Sequence, residues 1–239
     1  MRRLFWENPY SKECNAKVEA INGNEVKLSQ SIFFAFSGGQ ESDSGTIGGI
    51  PVKEARKEAD GNITYILESA PTFSPGQEVR VAIDWEKRYR IMKLHTAAHV
   101  VWFLFEKKTG VKKLIGSNVT NEKSRIDYEF PESVSSMLPE LEKEVNELIS
   151  KGAEIKTYAD AENPERRWWE MGLCHLEPTA QGSAAPVPNA QGASALSSRC
   201  QFKCPCGGTH LRNLKEIGQL KLKRKNLGKG KERIEITLA

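Results

Sequence analysis

His95-Thr96-Ala97-Ala98-His99 sets two imidazoles four positions apart. On a helix that is one turn, so both rings can reach a single cation from one face. The same spacing recurs much later in Cys206-Gly207-Gly208-Thr209-His210, where the glycines permit a tight turn that aims a thiolate and an imidazole at one point. Together the two halves offer His95, His99, Cys206 and His210, a set suited to tetrahedral Zn2+. Zinc polarises carbonyl groups and lowers the pKa of a bound water, which is hydrolytic chemistry. The residue after the first histidine is Thr96, whereas helical zinc peptidases carry a glutamate there as general base, so a peptidase of that type is not expected. A local arrangement stays open: Cys200, Cys204, Cys206 and His210 can hold zinc by themselves. That alternative is a non-enzymatic zinc-containing RNA-binding module, with His95 and His99 left without a metal. Four protein ligands usually mark a structural site. Catalysis then requires a displaced ligand, five-coordination, or a zinc that positions substrate.

The elements that must carry these residues divide near Trp85. Residues 1–85 read as an N-terminal β-barrel-like domain with a glycine-rich loop. Lys17–Ile21 and Glu25–Leu28 flank Asn22-Gly23, a hairpin signal. The stretch Gly38–Gly49 is glycine-rich, Ile63–Leu67 follows the turn Asp60-Gly61-Asn62, and Val79, Val81 and Ile83 alternate as in a half-buried strand. Residues 86–239 read as α+β. Glu86–Lys108 contains no Gly or Pro, Ile91, Leu94, Ala98, Val101 and Phe105 form one helical stripe, and the histidine pair lies inside this helix. Ile126, Tyr128 and Phe130 alternate as a strand, Val134–Lys151 reads as a second amphipathic helix, and Ile155 and Thr157 suggest another strand. Ile217, Leu220, Leu222, Ile234, Ile236 and Leu238 fit closing strands. Residues 176–198 are dense in Ala, Gly, Ser, Pro and Gln and read as a low-complexity insertion.

The chain has 239 residues, 38% hydrophobic and 28% charged, the balance of a soluble globular protein. No apolar run approaches the roughly 20 residues that span a bilayer, and the start lacks the apolar core of a secretory signal. The pattern therefore predicts no membrane contact and sets no oligomeric state. Of the five cysteines, Cys200, Cys204 and Cys206 cluster near His210, which favours metal binding in a reducing cytoplasm over disulfides. The net charge of +4 is unevenly spread: Arg212, Lys221, Lys223, Arg224 and Lys225 belong to a basic stretch that follows Cys206. They are expected to contact RNA phosphates. Arg88 and Arg90 suggest a second basic patch, and Trp168 and Trp169 fit a core or interface better than a stacking platform.

Three motifs in order carry a resemblance: Gly38-Gly39-Gln40-Glu41-Ser42-Asp43-Ser44-Gly45, His95-x-x-x-His99 and Pro205-Cys206-Gly-Gly-Thr-His210. The chain resembles the AlaX family, free-standing trans-editing relatives of the editing domain of alanyl-tRNA synthetase, and its length is similar to the medium-sized class. The resemblance implies a zinc-dependent aminoacyl-tRNA hydrolase that deacylates mischarged tRNA(Ala), chiefly Ser-tRNA(Ala) and also Gly-tRNA(Ala). It implies His95, His99 and Gln40 as catalytic residues and Ser31, Gln40 and Asp43 as substrate-binding residues. Two departures stand out: Ser31 occupies a position where the family carries threonine, and Ser37 one where it carries glycine. The family pattern assigns no role to Cys174, His175, Cys200 or Cys204.

Overall fold

The computed structural model describes residues 1–173 and 201–239, so the expected insertion at 176–198 lies outside the described residues. The chain opens with β1 (Arg2–Arg3) and a single helical turn, α1 (Leu4–Glu7). It then enters β2 (Glu13–Asn22), β3 (Glu25–Leu28), β4 (Gln30–Ser31), β5 (Gly45–Ile47), β6 (Ile50–Lys57), β7 (Ile63–Leu67) and β8 (Glu78–Ile83). Six of these strands close a barrel in the order β2-β3-β7-β6-β5-β8. The β2–β3 hairpin turns through Gly23 at φ 58°, where a side chain would be strained. Alternation then fills the interior: Val26, Leu28, Ile47, Tyr65, Leu67 and Val81 are all at most 1% exposed, and in β3 and β8 their neighbours along the strand are less buried.

The barrel ends at Ile83, and helix α2 (Trp85–Thr109) begins two residues later. The Asp84 side chain accepts from Lys87 N and caps the helix, satisfying one of its unpaired first-turn donors. Gly110, left-handed at φ 74°, ends it by donating to the Glu106 carbonyl. Beyond it lie β9 (Leu114–Val119), β10 (Ser124–Glu129), α3 (Leu138–Lys151), β11 (Ile155–Ala159), β12 (Arg167–Gly172), β13 (Gln201–Pro205), β14 (Leu220–Gly228) and β15 (Lys231–Leu238). They form a four-stranded sheet, β14-β15-β10-β9, and a three-stranded sheet, β11-β12-β13. Helices α2 and α3 pack against the larger sheet, and Val101, Phe105, Leu141, Val145, Ile234 and Ile236 share one core. Among the described residues the buried side chains of the barrel core run from Phe5 to Ile83. The architecture is α+β. Among the described residues no helix is long and apolar enough to cross a membrane.

Two expectations change in detail. The helix expected over Val134–Lys151 is a short 3-10 turn, Val134–Ser136, followed by α3 from Leu138. Pro139 is the reason: it lacks an N–H and its ring clashes with the preceding turn, so it sits at a helix start. Ile217 is a buried residue next to a 3-10 turn, not part of a closing strand.

Candidate metal centre

Burial of one face of α2 places His95 and His99, 8% and 7% exposed, against the second half of the chain. Their rings stack at 5.1 Å between centroids. Strand β13 delivers the second ligand pair: Cys204 lies opposite Trp169 of β12, and the Cys206 N–H donates to the Arg167 carbonyl at 2.9 Å. The chain then turns through Gly207 and Gly208. A Cβ on Gly208 would stand 2.6 Å from His95 Nδ1 and 2.5 Å from Gln40 Oε1, so only glycine allows this approach. Leu211 N donates to Thr96 Oγ1 at 3.1 Å and pins the turn to the helix.

The ligand atoms of His95, His99, Cys206 and His210 all lie within 4.8 Å of one another. His95 Nε2 is 3.3 Å from Cys206 Sγ, His210 Nε2 is 3.4 Å from the same sulfur, and His99 Nε2 is 3.2 Å from His210 Nε2. A tetrahedron with bonds of about 2.0–2.3 Å has edges of about 3.3–3.8 Å, so the three short separations are close to the edges of such a site, and the cluster could hold one zinc ion. The protonation chemistry fits as well. Burial pulls His95 down to about 4 and holds His99 and His210 well below the usual histidine range, leaving each imidazole neutral with a lone pair to give. Burial pushes the Cys206 thiol up to about 11, opposed by its hydrogen bond from the Gly208 backbone. A divalent cation would displace that proton.

The far side of each helix histidine is also occupied. Gln40 is 1% exposed. Its Oε1 accepts from Thr209 N at 3.0 Å and lies 2.8 Å from His95 Nδ1, while its Nε2 donates to Thr209 Oγ1 at 3.0 Å. An amide oxygen only accepts, so Nδ1 carries the ring proton and Nε2 keeps its lone pair toward the cluster. His99 meets Cys204 Sγ at 3.4 Å through Nδ1, and Trp169 stacks on it at 4.6 Å. Cys204 thus touches the histidine on the side away from the four-atom cluster. Cys200 lies outside the described residues.

Gln40 arrives on a tight turn. Ser37 and Gln40 exchange backbone hydrogen bonds, with Gly38 and Gly39 between them at φ 59° and 83°. Two successive positive φ values make a type I′ turn, which glycine accepts without strain. Val119 N and Asn118 Nδ2 both donate to the Gly39 carbonyl, at 2.8 and 3.0 Å, so the barrel's loop is fastened to β9. Between them opens a cleft of about 190 Å3, lined by Gly38, His95, His99, Cys206, Ser117 and Trp102 among others.

Several expected site residues stand elsewhere. Ser31 is fully buried, its Oγ accepting from Phe33 N at 3.0 Å. Asp43 accepts from Phe34 N at 2.6 Å and pairs with Arg88, both side chains 0% exposed. Neither Ser31 nor Asp43 lines the cleft; in this geometry they brace the glycine loop from behind. Arg88, expected on a basic surface, is instead the buried partner of that brace and also donates to the Ile32 carbonyl at 2.7 Å. Arg212 stands two residues beyond the ligand His210, with its guanidinium over Tyr10 at 4.8 Å. Lys221, Lys223 and Lys225 are exposed on β14. Lys223 registers with Glu235, which registers with Arg125 and then Asn118. Ser117, Val119 and Ile126, which line the cleft, alternate with that row and so occupy the opposite sheet face. Arg224 points to the lysines' other side and is ion-paired with Glu232 at 2.5 Å.

The comparisons with known proteins match this picture. The chain is 32% identical to alanyl-tRNA editing protein AlaX-M of Pyrococcus horikoshii, over 99% of this chain and 97% of that one. The chain belongs to the AlaX family. A second AlaX-M, from Saccharolobus solfataricus, is 30% identical over 98% of both chains. An alanine–tRNA ligase of Methanococcus aeolicus is 28% identical across 98% of this chain but only 25% of its own length. Residues 194–235 match the profile of the threonyl and alanyl tRNA synthetase second additional domain; they include Cys206 and His210. Membership in the AlaX family leaves three site residues that the motifs do not reveal. Ser117 is an exposed serine next to Gly116 in β9, Thr96 looks like filler between the histidines, and Cys204 carries no motif role. Only the folded register shows what they touch.

Proposed function

We propose that this chain is a trans-editing hydrolase that deacylates mischarged tRNA(Ala), with Ser-tRNA(Ala) as the principal substrate and Gly-tRNA(Ala) as the second. The observation that carries the reading is the convergence of two ligand pairs, distant in sequence, on one side of a small cleft whose other wall is the glycine loop. The relatives named as alanyl-tRNA editing proteins align across nearly their whole length. His95, His99, Cys206 and His210 would hold Zn2+; when bound it supplies Lewis-acid polarisation of an ester carbonyl and acidification of water.

The chain's own residues do the rest. Gln40 fixes the tautomer of His95 and, through Thr209, the position of the ligand turn. Among the described residues the N–H groups of Gly38 and Gly39 donate to no protein acceptor, which leaves them for a carbonyl or ribose oxygen at the cleft. Trp102, Val119 and Ile126 make the cleft narrow and largely apolar, so it admits a small aminoacyl group. Ser117 is a cleft-lining hydroxyl that can bond the hydroxyl of serine. A site built around such a bond rejects alanine, because its polar group is otherwise left unpaired. Arg212 meets the RNA nearest the ester, and the lysine row on β14 meets phosphates farther away.

The test is deacylation of Ser-tRNA(Ala), Gly-tRNA(Ala) and Ala-tRNA(Ala) by the zinc-loaded chain, side by side. We expect kcat/KM for the seryl ester to exceed that for the alanyl ester about a hundredfold or more. Equal rates on all three, or no hydrolysis of any, would remove the editing reading.

A further inference from the structure

Cys204 is a buried thiol, 4% exposed, that is not one of the four clustered ligand residues. It stands two positions before Cys206, and alternate positions on a strand face the same side. The Cys206 N–H continues the ladder to β12 by donating to the Arg167 carbonyl, so one run of extended chain carries both sulfurs to the histidines. Cys206 Sγ reaches His95 and His210, at 3.3 and 3.4 Å, and Cys204 Sγ reaches His99 Nδ1 at 3.4 Å. The rest of the His99 ring is also held. Trp169, opposite Cys204 in the β12–β13 ladder, stacks on it at 4.6 Å and 21°, and His95 stacks on it at 5.1 Å and 15°. These contacts fix the plane of the ring. They do not decide which nitrogen carries the proton.

His99 Nε2 points into the cluster, 3.2 Å from His210 Nε2. An imidazole that gives its Nε2 lone pair to a cation must keep its proton on Nδ1, and a buried N–H needs an acceptor. Among the described residues the acceptor that His99 Nδ1 meets is Cys204 Sγ. Trp169 cannot serve, because an indole only donates. Metal-bound histidines usually give this proton to a carboxylate, a carbonyl or water, as His95 does to Gln40 Oε1 at 2.8 Å. A thiol is a weaker acceptor, and it brings no charge that burial would penalise. We infer that Cys204 is a positioning residue, whose sulfur accepts the Nδ1–H of His99 and so keeps Nε2 turned to the metal without binding the metal itself. The inference rests on the metal reading of the cluster and adds a determinant of zinc affinity that lies outside both ligand motifs.

The test uses the full chain and two readouts. Zinc affinity is measured by competition with a chromophoric chelator, and Co2+ is bound in place of zinc to count thiolate ligands by the sulfur-to-cobalt charge-transfer band. Cys204→Ala and Cys204→Val both remove the acceptor; the first leaves a small gap and the second slightly overfills the site, so an effect common to both belongs to the lost acceptor. Each is expected to weaken zinc binding about ten- to hundredfold. Cys204→Ser keeps an acceptor at nearly the same place and should recover most of that loss. The charge-transfer band should match wild type in all three variants, since Cys206 remains the one thiolate on the metal. Wild-type zinc affinity in both the alanine and the valine variants would overturn the inference, and so would a serine variant as weak as those two. A band reduced by about half in the variants would make Cys204 a ligand and also overturn it. If wild type binds neither Zn2+ nor Co2+, the metal reading itself falls and takes this role with it; a wild type that binds both, beside variants that do the same, removes the role of Cys204 alone.

Discussion

Replacing His95 by alanine is expected to lower kcat/KM for seryl-tRNA about a thousandfold or more, even with zinc in excess. His95 is the ligand with the most complete support: Gln40 fixes its proton, and its Nε2 stands 3.3 Å from Cys206 Sγ. Alanine removes that donor and leaves Gln40 Oε1 with Thr209 N alone, so the glycine loop and the ligand turn also lose a shared anchor. Electrophilic stabilisation by a bound cation is worth several kcal/mol, which corresponds to that factor. Single-turnover deacylation separates chemistry from product release. A loss under about threefold would mean that the helix histidines serve structure alone.

The second large effect concerns stability. Arg88→Met is expected to destabilise the chain by about 3–5 kcal/mol, a fall in melting temperature of about 10 °C for a chain of this size. Arg88 and Asp43 are both 0% exposed, and removing one charge leaves the other buried and unpaired. The damage has a specific place. Asp43 holds Phe34 N, and Arg88 holds the Ile32 and Pro9 carbonyls, so the pair fastens the barrel loop to the first turn of the metal helix. Asp43→Leu in the Arg88→Met background should recover part of the loss, because no lone charge remains. Thermal melts of the single and double variants decide it; an Arg88→Met chain as stable as wild type would show that the pair is not the brace.

The cluster of four candidate ligands was readable because its information is local. Each pair sits at the spacing its own backbone requires, a helix turn for His95 and His99 and a glycine turn for Cys206 and His210. The barrel hairpin at Asn22-Gly23 and the long helix were readable for the same reason: period and turn chemistry are short-range. What escaped depends on register. Arg88 looks like one more surface arginine until Asp43, far away in sequence, arrives behind it. Strand β12 hides because Arg166-Arg167-Trp168-Trp169 shows no alternation; of its inward residues, Trp169 and Met171, Trp169 is distinguished by His99 and Cys204. Ser31 was expected at substrate because a motif gives a position along the chain and not the direction of a side chain. The basic residues after Cys206 are neighbours of the ligands in sequence, yet the pleat of β14 turns three of the lysines to the face away from the cleft.

The central claim is that residues from two distant parts of the chain share one cation. Zinc content per chain, measured by inductively coupled plasma mass spectrometry after dialysis, tests it most directly in three proteins: wild type, His95→Ala/His99→Ala, and Cys200→Ala. With His95, His99, Cys206 and His210 as the ligands, wild type and Cys200→Ala carry about one zinc each, as a closed tetrahedral site holds, and the double histidine variant carries almost none. Zinc retained by the double variant, or lost from Cys200→Ala, would place the metal in a local knuckle and contradict the shared site.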